Sequence, residues 1–229
     1  HNGRRRQRQM CIRDRLSNID FFLHGTTVGL NALLERKGSK VGLLCTKGFR
    51  DIIEIRRGDR DEMYNLFWQP PPPLVPRYLR LEIEERLFAN GKVHTNLNIN
   101  DVKESCKHFI DEGVNSVAIA FMNAYSNKEH ELLAKKTLIE NGFKGEISLS
   151  SLVSGEYREY ERTTTTIIDA FVKARMSNYL DTLKNSLNDI GFKGSFLLTR
   201  SGSGSMTFDE ASERPVSYTH LRAHETIAD

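Results

Sequence analysis

Between residues 99 and 149 amphipathic and apolar segments alternate at even intervals, and no other feature constrains the fold as strongly. Residues 100–112 place Val102, Cys106, Phe109 and Ile110 on one helical face, with Asn100 as the cap and Gly113 closing the helix. Residues 116–122 read as a buried strand, apolar without a break from Val117 to Met122. Residues 127–141 predict a second helix, with Leu132, Leu133 and Leu138 inward and Gly142 as its stop, and 146–150 a further strand. Strands buried on both faces are apolar throughout, and helices between them return the chain so that the next strand lies parallel. This pattern predicts an α/β fold, a mixed sheet with flanking helices.

The same grammar extends in both directions. Residues 19–23 read as a strand end, 26–37 as a helix with Gly38 in left-handed geometry past its end, and 41–45 as a buried strand. Ile52, Ile53 and Ile55 make a short strand candidate, and Leu79, Leu81 and Ile83 a half-exposed strand. The run from Gln69 to Pro73 stops regular structure, because proline lacks the donor that helix and sheet need, and predicts a polyproline connector. Residues 164–190 carry apolar side chains at helical spacing, with the threonines 163–166 as the cap. A last strand at 196–198 and a short helix at 208–213 follow.

Charge and length exclude several classes. The formal net charge is +3, but six arginines and one aspartate fall within residues 1–15, so the body is close to neutral. A neutral body gives no electrostatic case for nucleic acid as partner. No apolar run approaches the roughly 18–20 residues that cross a bilayer. Cys11, Cys45 and Cys106 are far apart and lack metal-ligand spacing, which predicts a reducing, cytoplasmic setting and no protein-held metal. Residues 1–15 and 217–229 resemble translated adapter read-through and are expected to be a non-native or disordered arm and tail. That leaves 16–216 as the folded region, with a sub-boundary near 69–76 and a following domain starting near 195–216.

The densest polar cluster at an element boundary is His24-Gly25-Thr26-Thr27, followed by Asn31. Gly25 would let a strand turn sharply into a helix whose first N–H groups attract anions. The threonine hydroxyls could bond a phosphate or carbonyl, and His24 could titrate or hold a ligand. The plainer alternative is a strand-to-helix cap with a satisfied histidine. Elsewhere Arg50 and Asp51 could pair with one another, or Arg50 could face a nucleotide. The RGD string at 57–59 is coincidental. Arg158, Glu159, Glu161 and Arg162 are dense enough for an ion-pair network in which one carboxylate could orient a substrate amide.

The stretch from His24 to Gly38 resembles a signature of the hydantoinase A/oxoprolinase family. Residues 46–51, 73–77 and 84–86 and the segment Tyr157-Arg158-Glu159-Tyr160-Glu161-Arg162-Thr163 resemble its later blocks, in family order. The resemblance implies an actin/sugar-kinase-like (ribonuclease-H-like) ATPase fold, incomplete in this chain. It also implies ATP with magnesium and a partner subunit of the hydantoinase B type. The implied activity is that of an ATP-dependent cyclic-amide hydrolase subunit, which phosphorylates a carbonyl oxygen. The alternatives are a subunit of an ATP-dependent ketone carboxylase and a non-catalytic docking domain. His24, Thr26 and Thr27 are then the expected catalytic residues, and Gly25, Asn31, Arg50, Arg158, Glu159, Glu161 and Arg162 the expected substrate or phosphate contacts. The family's aspartate-glycine-glycine-threonine loop is not found in the sequence, and 201–205 departs from the family's asparagine-glycine-glycine form, reading as a flexible loop. The chain therefore reads as an internal fragment with no turnover expected from it alone.

Overall fold

The computed structural model describes residues 19–58, 60–199, 204–213 and 215. The arm 1–15, the tail 217–229, Asp59 of the RGD string and residues 201–203 of the Gly/Ser stretch lie outside the described residues. In chain order the first elements are β1 (Phe21–His24), α1 (Val28–Leu34), β2 (Val41–Thr46), α2 (Ile52–Ile55) and β3 (Arg80–Ile83). A hairpin, β4 (Arg86–Leu87) and β5 (Val93–Thr95), precedes α3 (Ile99–Asp111), β6 (Ser116–Ala120), α4 (Glu129–Glu140) and β7 (Glu146–Leu149). The chain continues through α5 (Ser150–Val153), α6 (Glu159–Asp189), β8 (Ser195–Thr199), β9 (Ser205–Thr207) and α7 (Phe208–Glu213). Among the described residues no helix is long and apolar enough to cross a membrane.

The chain divides into two compact units, residues 36–174 and residues 1–35 with 175–229, so α6 contributes to both. The proline run falls inside the 36–174 unit.

In that unit four strands form a fully parallel sheet in the order β3-β2-β6-β7. All six residues of β2 and all five of β6 are buried, as central strands covered on both faces require. Phe109 of α3 packs directly over Gly42 of β2, where an added Cβ would come within 2.5 Å of the ring. Gly42 thus removes a side chain so that helix and sheet can close. Cys45 is buried at the end of β2, and desolvation pushes its thiol up to about 12, which makes it inert as a nucleophile.

In the other unit β1 runs parallel to β8, and β9 pairs with β8 antiparallel, giving a mixed three-stranded sheet. Met176 and Leu180 of α6, Leu198 of β8, and Phe208 and Ala211 of α7 form its core.

Several expectations need correction. Ile52 to Ile55 is one helical turn, not a strand. The helix after β1 is only Val28–Leu34. Arg36 takes the positive φ of 51°, while Gly38 is needed because a Cβ there would meet the Phe171 ring at 2.4 Å. Asn98, not Asn100, caps α3, its Oδ1 accepting the Asn100 N–H at 3.0 Å. The face that α4 buries carries His130, Glu131, Ala134, Thr137 and Leu138, while Leu132 and Leu133 are exposed. The long helix begins at Glu159, so the threonines 163–166 lie inside it. Thr166 Oγ1 donates back to the Arg162 carbonyl at 2.7 Å instead of capping the helix.

Candidate functional site

The bend from β1 into α1 is organised by side chains rather than by an unusual glycine backbone. Gly25 does not have a positive φ; a Cβ there would sit 3.2 Å from Thr199 Oγ1, whose hydroxyl donates to the His24 carbonyl at 3.3 Å. The close approach of β8, not a left-handed turn, is what favours glycine. Thr26 Oγ1 accepts the Val28 N–H at 3.2 Å, so one of the amides expected to face an anion is already satisfied. With seven residues, α1 adds little dipole to the bend.

The remaining polar groups at the bend are oriented. His24 is half-buried, with Nε2 2.7 Å from the Tyr179 hydroxyl and its ring stacked on Phe22 at 6.0 Å between centroids. One imidazole nitrogen is thereby fixed by Tyr179, and Nδ1 is the one that can meet a ligand. Thr27 is exposed, and its Oγ1 accepts from Asn31 Nδ2 at a long 3.4 Å. That weak bond leaves a hydroxyl and an amide able to turn to another acceptor. His24, Gly25, Thr26, Thr27 and Asn31 thus lie together at one bend.

The 36–174 unit holds the other candidates, at the carboxyl ends of its parallel strands, the edge where open α/β sheets bind ligands. Arg162 is fully buried in the second turn of α6. Its Nε donates to Ser150 Oγ (3.1 Å), Nη1 to the Glu156 carbonyl (2.9 Å), and Nη2 to the Phe121 carbonyl (2.9 Å) and the Glu159 carboxylate. Glu159 also accepts the Asn123 N–H at 3.3 Å. Burial raises the Glu159 carboxyl above its ordinary value, and the Arg162 charge offsets this only in part.

The other members of the charged segment do not join this group. Glu161 pairs with Arg57, the nearer contact being from Nη2 and the second from Nε at 2.9 Å. Arg158 lies over the Tyr157 ring at 5.8 Å. Arg50 and Asp51 do not pair: Arg77 takes Asp51 in a two-pronged contact at 2.9 and 3.0 Å and holds its carboxyl below the usual range. Arg50 Nε is buried without a hydrogen-bond partner.

Sequence reasoning missed the acid at the centre of this edge. Glu131, fully buried on α4, accepts from Ser150 Oγ (2.6 Å), the Phe121 N–H (3.2 Å) and the Ser151 N–H (2.9 Å). Alongside it, Glu85 accepts from the Thr46 hydroxyl and lies 2.7 Å from His130 Nδ1, while Thr46 Oγ1 accepts the Met122 N–H at 2.8 Å. The available signal was positional: a glutamate in the first turn of a helix, at a spacing that faces the sheet. Among the described residues, no three His, Cys, Asp or Glu side chains group to hold a metal.

The model of the hydantoinase/oxoprolinase N-terminal region matches residues 5–142, and the hydantoinase/oxoprolinase model matches 162–220. Curated relatives include an uncharacterized protein of Methanocaldococcus jannaschii, 36% identical, aligning 87% of this chain with 30% of that protein. Two more are the acetophenone carboxylase gamma subunit of Aromatoleum aromaticum (31% identical; 86% and 29% covered) and caprolactamase subunit alpha of Pseudomonas jessenii (33%; 77% and 26%). 5-Oxoprolinase 1 of Arabidopsis thaliana is 28% identical, with 81% of this chain covering only 16% of it. The crystal structure of the ATP-dependent caprolactamase from Pseudomonas jessenii superposes with a TM-score of 0.80 at 28% identity, over 90% of this chain and 31% of that one. The mixed-sheet α/β reading holds, with the actin-like ATPase fold of these neighbours. The chain spans less than a third of the length of each of these relatives.

Proposed function

This chain belongs to the hydantoinase/oxoprolinase family, and from that we propose that it serves an ATP-dependent enzyme that activates the carbonyl oxygen of a cyclic amide for hydrolysis. The observation that carries the reading is the His24–Asn31 bend in a fold superposing on an ATP-dependent caprolactamase. An imidazole, a hydroxyl and a carboxamide suit phosphate oxygens and a carbonyl; they are a poor donor set for magnesium, which prefers carboxylates and water. ATP, when bound, supplies the phosphoryl group that turns the carbonyl oxygen into a better leaving group, and magnesium would arrive with it. In this reading Thr27 and Asn31 contact phosphate oxygens, and His24, steadied by Tyr179, orients the amide. Positioned donors of this kind are what phosphoryl transfer requires of a protein.

Three relatives are named as subunits: caprolactamase alpha, acetone carboxylase beta and acetophenone carboxylase gamma. We therefore assign this chain a partner subunit, of the hydantoinase B type by family resemblance. Two buried free thiols, Cys45 and Cys106, accord with a cytoplasmic setting. A ketone carboxylase is the second reading, favoured by the 31% identity to the acetophenone carboxylase subunit.

The test is phosphate release from ATP by the assembled enzyme, with caprolactam or 5-oxoproline against acetophenone plus bicarbonate. Stimulation by a lactam supports the first reading, and stimulation only by the ketone supports the second. Thr27→Ala with Asn31→Ala should raise the ATP concentration for half-maximal release about tenfold or more, the scale of losing hydrogen bonds to a charged group. An unchanged value would remove the bend from the nucleotide site.

A further inference from the structure

Tyr179 lies on the face of α6 that packs against the core of Met176, Leu180, Leu198, Phe208 and Ala211. Its hydroxyl is the one polar group its side chain brings there. Among the described residues that hydroxyl has a single hydrogen bond, the 2.7 Å contact with His24 Nε2. The His24 ring is also set against two aromatic rings. It stacks on Phe22 with 18° between the planes and tilts toward the Tyr179 ring, 5.9 Å away between centroids. Strand geometry explains the placement: Phe22 and His24 share one face of β1, while Phe21 and Leu23 on the other face are exposed. Flipping the imidazole would give up the Tyr179 bond.

Two proton arrangements satisfy that contact, and they give His24 opposite functions. In the first, Nε2–H donates to the phenol oxygen and Nδ1 keeps a bare lone pair. In the second, the phenol O–H donates to Nε2 and the ring proton sits on Nδ1. The first arrangement leaves the Tyr179 proton without an acceptor among the described residues, in half-buried and largely apolar surroundings. A donor stranded in such a place is costly. It also uses each atom at its weaker task. A phenol oxygen shares its lone pairs with the ring and accepts poorly, whereas an imidazole nitrogen accepts strongly. The second arrangement satisfies the hydroxyl and Nε2 together, and the hydrogen-bond network thereby selects the tautomer. What it leaves over is one donor, Nδ1–H, at the bend.

We propose that Tyr179 is a positioning residue whose hydroxyl donates to His24 Nε2 and fixes the Nδ1–H form, so that His24 donates to the carbonyl oxygen of the amide and does not accept from its N–H. This rests on the reading of the bend as the amide site and adds which atom of the amide is held. One lone pair of the carbonyl oxygen takes the proton, and the other remains free.

The test reads the histidine nitrogens of the native-length polypeptide by nitrogen NMR at about pH 8.5, where imidazoles are ordinarily neutral. His24→Gln assigns the signal. His24 should carry its proton on Nδ1. Tyr179→Phe, which keeps the ring and its packing, should retain the parent's circular dichroism and move the proton mainly to Nε2. The assembled enzyme is then assayed for phosphate release from ATP with caprolactam or 5-oxoproline, whichever stimulates it. Tyr179→Phe should raise the lactam concentration for half-maximal release about fivefold or more, and leave that for ATP within about twofold. A parent His24 protonated at Nε2 would overturn the proposal while leaving the bend as the amide site. A tautomer that Tyr179→Phe does not alter would overturn the positioning role in the same way. An unmoved lactam value in a variant whose tautomer has changed would overturn both the proposal and the amide reading of His24. A raised ATP value in its place would assign the held oxygen to phosphate.

Discussion

Glu131 has no solvent contact, yet three donors point at its carboxyl: the Ser150 hydroxyl and the N–H groups of Phe121 and Ser151. Burial raises its pKa above the ordinary 4.5, and these donors offset the rise only in part. Below 4.5 the native and unfolded chains are both protonated at this group, and it contributes no pH dependence. As pH climbs past 4.5 the unfolded chain ionises first while native Glu131 keeps its proton, so native stability falls until the native carboxyl ionises too. The stability of the parent minus that of Glu131→Gln should therefore decline over that interval, by no more than about 1.4 kcal/mol per pH unit. Urea titrations at a series of pH values check this, and a difference that rises with pH would refute the buried-acid reading. Arg162 shows why such groups are hard to read in a sequence. A guanidinium with three protein oxygens and a carboxylate around it is a structural hub, yet its letter is the same as that of an exposed arginine.

The elements were legible where periodicity and punctuation agreed. The alternation from α3 to β7 matched the sequence to within a few residues, and Gly113 and Gly142 take the positive φ expected at helix ends. Short elements were not legible: α2, α5 and the β4–β5 hairpin are too brief for a period to emerge, and their existence depends on neighbours. Gly42 belongs to this scale, because its role is the gap between a strand and a helix. Replacing it by alanine drives a methyl into the Phe109 ring and should cost about 1–3 kcal/mol in urea unfolding, as overpacking does. The double variant Gly42→Ala, Phe109→Leu should recover at least half of that loss. A failure to recover would mean that the strand backbone, not the ring, resists the methyl.

At the scale of the molecule, charge is distributed very unevenly. Residues 1–15 carry a surplus of five positive charges against +3 for the whole chain, so what remains is near −2. Deleting residues 1–15 should therefore abolish retention on heparin or RNA at about 50 mM salt, since nonspecific binding follows phosphate neutralisation. Persistent retention would reveal a basic face on one of the two units. The sequence by itself determined the α/β class, the order of the longer strands and helices and the local cluster from His24 to Asn31, because backbone periodicity and residues adjacent in the chain leave a local trace. Only the tertiary structure decided that Asp51 answers to Arg77 and not Arg50, that Glu131 is buried, and that Ser150, Phe121 and Arg162 converge on one edge of a parallel sheet. Those pairings join residues distant in the chain, and the parallel register that brings strand ends together is set by packing rather than by any local propensity.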